Sequence, residues 1–216
     1  MMRGAAQPAP LFVGDCSARA RLGRRAQGRA RDRGVWFVVA VEPTPSRPHL
    51  PPGYGIESAT GPPGASLPWT QVRAWLAEAR NYWVCTVRPD GRPHAKPVWG
   101  LWLERAFVFS THPDTVTARN LRTNPEVAVH LESGDQVLVL EGEARRTRDR
   151  PFLARFGEIY GAKYRWPVGP DDVDPENPDA AFFVVDPRRA VSWGAATEVG
   201  QTMTRWTFPD VTPLEP

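Results

Sequence analysis

Apolar positions along this chain keep two rhythms in turn, and the changes of rhythm predict its elements. After Pro68, Val72, Trp75, Leu76 and Ala79 recur at i, i+3, i+4 and i+7, the spacing of one buried helix face, with Thr70 as the expected N-cap. From Tyr82 onward the pattern becomes short apolar runs parted by turn residues. Tyr82–Val87, Pro93–Leu103 and Ala106–Thr111 are separated by Pro89-Asp90-Gly91-Arg92 and by Glu104-Arg105, which predicts an antiparallel meander. A second helix is expected over Asp114–Asn124, with Asp114 capping it and Pro125 ending it. Strands follow at Glu126–Leu131 and Gln136–Arg145 around the turn Ser133-Gly134-Asp135, and a third helix at Arg148–Gly161. The loop Pro167–Pro178, dense in Pro and Asp, precedes late strands at Ala181–Val185, Ala190–Trp193 and Met203–Phe208.

Strand Tyr82–Val87 is apolar at successive positions, Tyr82 and Val84 on one face and Trp83, Cys85 and Val87 on the other. An antiparallel sheet reads this way when both faces are covered. The expected class is therefore mainly β (α+β), a barrel wall with a few flanking helices over residues 67–208. Composition narrows the rest. With 41% hydrophobic and 24% charged residues among 216, the chain has the make-up of one globular domain with tails. Its 24 prolines gather at the ends and in a few stretches. Residues 1–41 read as a disordered extension rich in Arg and Pro, 42–66 as an extended Pro/Gly-rich arm anchored by Tyr54 and Ile56, and 209–216 as a tail.

The formal charge of +3 comes from arginines in that first segment, and the remainder is slightly acidic, so no basic face for nucleic acid is expected. An arginine arm for nucleic acid would want interleaved aromatics, and a transit peptide would want an amphipathic stripe. Neither is visible, and an unselected extension is the preferred reading. Two cysteines, Cys16 and Cys85, make no disulfide framework, and Cys85 reads as an ordinary strand residue. No run nears the roughly 18 apolar residues of a membrane span. A cytoplasmic protein without membrane partners is expected.

One stretch carries more than a fold signal. Thr86-Val87-Arg88-Pro89-Asp90-Gly91-Arg92-Pro93-His94-Ala95-Lys96-Pro97-Val98-Trp99 resembles the opening hairpin of the pyridoxamine 5′-phosphate oxidase-like family, in its flavin/deazaflavin oxidoreductase branch. Phe107-Val108-Phe109-Ser110-Thr111, Ala118-Arg119-Asn120-Leu121 and Asn124-Pro125 follow in the family's order, and Thr204-Arg205-Trp206 is similar to the same branch. The resemblance implies a split β-barrel of antiparallel Greek-key type, a homodimer, and a cofactor held in a groove between subunits. It favours the deazaflavin F420, with FMN as the alternative.

The matching residues suit that ligand, which needs a flat slot for its ring and cations or hydroxyls for its phosphate. Pro97, Val98 and Trp99 would line the slot, and Ser110 and Thr111 would meet the phosphate beside a helix N-terminus. Lys96 and Arg119 would add positive charge, Asn120 a hydrogen bond, and His94 would sit near the cofactor. The chain departs from the family at Thr117, where many relatives carry a phosphate-binding lysine, leaving Lys96, Arg122 or a partner's arginine to compensate. Each residue has a plainer reading too: His94 and Lys96 as solvated strand residues, Trp99 and Trp102 as core or interface aromatics, Arg119 as a surface helix residue. His112 and His130 lack a partner at metal spacing, and no hydrolase or phosphate-loop motif occurs. The expected activity is reduction of a small conjugated or quinone-like substrate. Alternatives are a flavin, deazaflavin or haem binder without turnover, and a pyridoxamine 5′-phosphate oxidase.

Overall fold

The computed structural model describes residues 42–49, 67–194 and 202–209. The extension over residues 1–41 and the anchors Tyr54 and Ile56 lie outside them.

Helix α1 (Trp69–Glu78) starts one residue before the expected Thr70 cap, with Pro68 in the cap position and no side-chain cap. Trp69 draws the start forward: it is buried against Trp102, Trp206 and Phe208, with ring centroids 5.9, 5.2 and 5.3 Å away. Strands β2 (Tyr82–Val87) and β3 (Pro93–Val98) form the expected hairpin. The single strand expected over Pro93–Leu103 is broken at Trp99, and β4 (Gly100–Leu103) turns away to pair with β5 (Ala106–Thr111).

Helix α2 (Val116–Thr123) is capped by Thr115, not Asp114, since the Ala118 N–H donates to Thr115 Oγ1 at 3.2 Å. Strands β6 (Glu126–Leu131) and β7 (Val137–Arg146) match expectation closely. Helix α3 (Arg150–Tyr164) runs three residues beyond Gly161, because Tyr164 is a buried anchor, and it ends at Arg165 in the left-handed region. The acidic loop contains a short 3₁₀ turn at Pro170–Val173, held by the Gly169 N–H donating to Asp172.

The two late strands are one, β8 (Ala181–Trp193), followed by β9 (Thr204–Thr207). Asp186-Pro187 reads as a break in sequence, yet Pro187 sits where the β7–β8 register shifts, and a strand tolerates proline at such a place. Of the proline-rich arm, three residues form β1 (Thr44–Ser46) against β9.

The sheet runs β1-β9-β8-β7-β6-β2-β3, with β5 pairing β8 and β4. No ladder joins β3 to β4, so the hydrogen-bonded sheet is not closed; the chain itself spans the opening through Trp99. This is a split-barrel-like α+β fold, mostly antiparallel. Its interior holds Tyr82, Val84, Val98, Phe107, Phe109 and Leu140, with α1 contributing Val72, Trp75 and Leu76. A second cluster lies outside the wall, where α3 covers Leu101, Val108, Phe182 and Val184 with Leu153, Phe156 and Tyr164. Two-sided burial therefore holds along β5 up to Phe109 and over Ala181–Val185 of β8, but is partial at β2, where Trp83 and Cys85 are half-buried and Val87 is exposed. No helix among the described residues is long and apolar enough to cross a membrane.

Candidate functional site

Alternation along β3 points His94, Lys96 and Val98 one way and Ala95 and Pro97 the other. Lys96 Nζ donates to Thr111 Oγ1 at 3.2 Å, and Thr111 Oγ1 lies 3.1 Å from Thr115 Oγ1 at the cap of α2. Beside them, His94 Nε2 and Thr117 Oγ1 are 3.3 Å apart. Four of the expected residues, His94, Lys96, Thr111 and Thr117, thus meet at the first turn of α2. There the leading backbone N–H groups precede any intrahelical acceptor and carry the positive end of the helix dipole. Burial, followed by the charges of Arg88 and Lys96, holds the His94 imidazole below its ordinary range.

Thr117 has no free face. It is fully buried, and its hydroxyl is turned to His94. Asn120, also buried, donates to Thr86 Oγ1 at 2.9 Å and ties α2 to β2. Arg119 Nη1 donates to the Asp114 carbonyl at 2.7 Å and Arg122 Nη1 to that of Pro113 at 3.0 Å, so both guanidinium groups wrap the β5–α2 loop. Ser110 lies on the other face of β5 from Thr111, the face that Val108 turns to α3.

Around the strand edge, Pro97 is exposed while the Val98 side chain is in the barrel core, leaving only its backbone for a ligand. Among the described residues β3 pairs with β2 alone, so its other edge carries backbone groups without a ladder partner there, and Pro97 suits such an edge. Trp99 turns outward and stacks on Tyr164, centroids 4.6 Å apart at 4°, with its Nε1 donating to Asn81 Oδ1 at 3.1 Å.

Reasoning from sequence missed Thr115, whose capping role a Thr three residues before Ala118-Arg119-Asn120 signals well. It also missed Lys163 and Tyr164, which no local pattern marks. A groove of about 760 Å³ lies elsewhere, on the outer wall between Cys85, Ala128, Glu141, Arg189 and Thr207. It is flanked by exposed ion pairs of Arg188 with Glu126 and Glu143. The chemistry gathers at the α2 terminus rather than in this groove.

A split-barrel-like fold with a cluster of one lysine, one histidine and three threonines at a helix terminus beside a strand edge is the class of protein defined here. The sequence profile of pyridoxamine 5′-phosphate oxidase matches residues 69–194, and the chain belongs to that family. A pyridoxine/pyridoxamine 5′-phosphate oxidase of Xanthomonas campestris pv. campestris is 26% identical over 151 residues, 60% of this chain and 73% of that protein. A conserved hypothetical protein of Mycobacterium tuberculosis, 23% identical, matches with a TM-score of 0.54 over 68% of this chain and 91% of that one. An F420 reductase, also 23% identical, covers 55% of this chain and 94% of its own at a TM-score of 0.45. Family membership supports oxidoreductase chemistry with a flavin-type cofactor.

Proposed function

We propose that this protein binds F420, or FMN in its place, and uses it to reduce a small conjugated or quinone-like substrate. The observation that carries the reading is the Lys96–Thr111–Thr115 chain at the α2 terminus, next to the unpaired edge of β3. The donor set fits a phosphate: one ammonium, hydroxyls, and helix N–H groups within a few ångströms of one another. Thr111 and Thr115 would orient that phosphate while Lys96 neutralises it. The backbone from Pro97 to Trp99 would face the polar rim of the ring, and the aromatics beside it would exclude water. When bound, such a cofactor supplies the hydride; the chain binds and orients it and needs no acid or base of its own for that transfer.

Thr117 gives no charge to this site, so Lys96 is left as the cation aimed at it by its own hydrogen bond, and binding should depend on it strongly. A second copy of the chain is the partner that the outer wall fits. Trp83 stacks on His130 there, and Cys85, Ala128, Val139 and Val191 share the same half-buried face. Sedimentation of the purified chain tests this association directly.

The deciding experiment is a fluorescence titration with FMN and with F420 on the wild type and on Lys96→Ala. Tight binding of one cofactor is expected, weakened about tenfold or more in the variant, as a lost charge-assisted contact predicts. The named oxidase relative supports a second reading, which an assay of pyridoxamine 5′-phosphate oxidation by the FMN-loaded protein checks. Binding with no turnover of any acceptor would leave the non-catalytic reading. Binding of neither cofactor would end the enzyme reading.

A further inference from the structure

Further along the same strands from the α2 terminus, Lys163, Tyr164 and Tyr82 form a hydrogen-bonded group beside the opening between β3 and β4. Tyr164 Oη accepts the Gly100 N–H at 2.9 Å and lies 2.8 Å from the Gly100 carbonyl and 2.9 Å from that of Arg80. Lys163 Nζ donates to Tyr82 Oη at 2.6 Å and reaches the Gly100 carbonyl at 3.4 Å, and Tyr82 Oη donates to the carbonyl of Leu76. The Lys163 ammonium also sits over the Tyr82 and Tyr164 rings, 4.9 and 5.3 Å from their centroids.

The chemistry of this knot follows from the missing ladder. Where β3 stops pairing with β2 and β4 begins pairing with β5, the backbone polar groups of Gly100 need other partners, since unpaired buried groups are costly. One phenol hydroxyl serves the N–H, and with Lys163 it shares the carbonyl. No side chain fits at this position, because a Cβ on Gly100 would lie 2.4 Å from the Phe107 ring. The same Tyr164 ring lies flat on Trp99 while Arg80 covers Trp99 at 5.1 Å, so one residue grips the strand on both sides of the break.

We propose that Tyr164, backed by Lys163 and Tyr82, is a positioning residue that fixes the Trp99–Gly100 break and so sets the Pro97–Trp99 edge for the cofactor ring. This rests on the reading that the edge takes the ring. The clamp touches the ring's support and leaves the phosphate end alone, so its loss separates the two halves of the site.

The test uses the full chain as wild type, Tyr164→Phe and Lys163→Met. Titration with FMN and F420 reads the whole cofactor, the His94 NMR signal reads binding of inorganic phosphate, and hydrogen exchange reads the Gly100 amide. In Tyr164→Phe, which keeps the stack and loses the hydroxyl, cofactor affinity is expected to fall and Gly100 exchange to rise, each about tenfold, with phosphate affinity unchanged. Cofactor affinity within about twofold of wild type overturns the proposal, and so does a matching loss of phosphate affinity, which marks a general structural effect. If the wild type binds neither cofactor, the functional reading falls and with it the link from clamp to ring. Gly100 exchange then decides the clamp itself, unchanged exchange overturning that too. Should Tyr164→Phe fail to fold, Lys163→Met applies the same criteria with the tyrosine in place.

Discussion

His94 keeps a neutral ring at pH values where a free histidine would be charged, because burial and then Arg88 and Lys96 oppose the imidazolium. The folded pKa lies below the ordinary 6.5, so below that value the unfolded chain binds the proton first and stability falls as the pH drops. His94→Gln is expected to flatten that part of the acid limb in urea unfolding. Phosphate bound against Lys96 would offset the two cations, so the His94 midpoint followed by NMR should rise when phosphate is added. Asn120 makes a contrasting case. With its amide given to Thr86, Asn120→Ala should cost about 1–3 kcal/mol of stability, read by urea unfolding, for a buried hydroxyl left alone.

At the scale of elements, the long strand β8 serves two partners in succession, β5 through Ala181–Val185 and β9 through Arg189–Ser192, with β7 along its other side. The bend between them needs close approach at Gly142, where a Cβ would lie 2.2 Å from the Asp186 carbonyl oxygen. Neighbouring backbone cannot yield cheaply, so Gly142→Ala is expected to lose about 1–3 kcal/mol, measured by chemical denaturation. This bend was not legible locally, since Asp186-Pro187 carries the mark of a strand end. Helix α2 was legible from its Pro125 stop and polar start, but its cap falls on Thr115 and not on the expected Asp114, because the loop places Thr115 over the Ala118 N–H.

For the whole molecule, the Lys163 ammonium joins α3 to β2 and to the strand break, and the Tyr82 hydroxyl carries the link on to α1. Burial lowers its pKa from 10.5 to about 8, so between these values the unfolded chain is protonated and the folded chain is not. Stability should therefore rise with pH across that window, and Lys163→Met should remove the rise when unfolding is followed at several pH values. Tyr164, pushed up from 10.0 to about 12 chiefly by burial, acts in the opposite sense above its ordinary value and sets an upper limit to the gain.

The local order of helices and strands, the hairpin at Asp90-Gly91 and the family were determined by the sequence itself, because periodicity, turn residues and ordered motifs act over a few neighbours. The same hairpin brought Lys96 into view, and the Ser-Thr strand brought Thr111. What those motifs did not carry was direction. Pairing with β8 turned Ser110 toward α3 and away from Thr111, packing closed Thr117 onto His94, and Asn120 went to Thr86 rather than to the site. Tertiary structure alone brought Lys163 and Tyr164 to Gly100, sixty-odd residues away in the chain, since contacts at that separation follow from how the barrel packs and leave no local pattern.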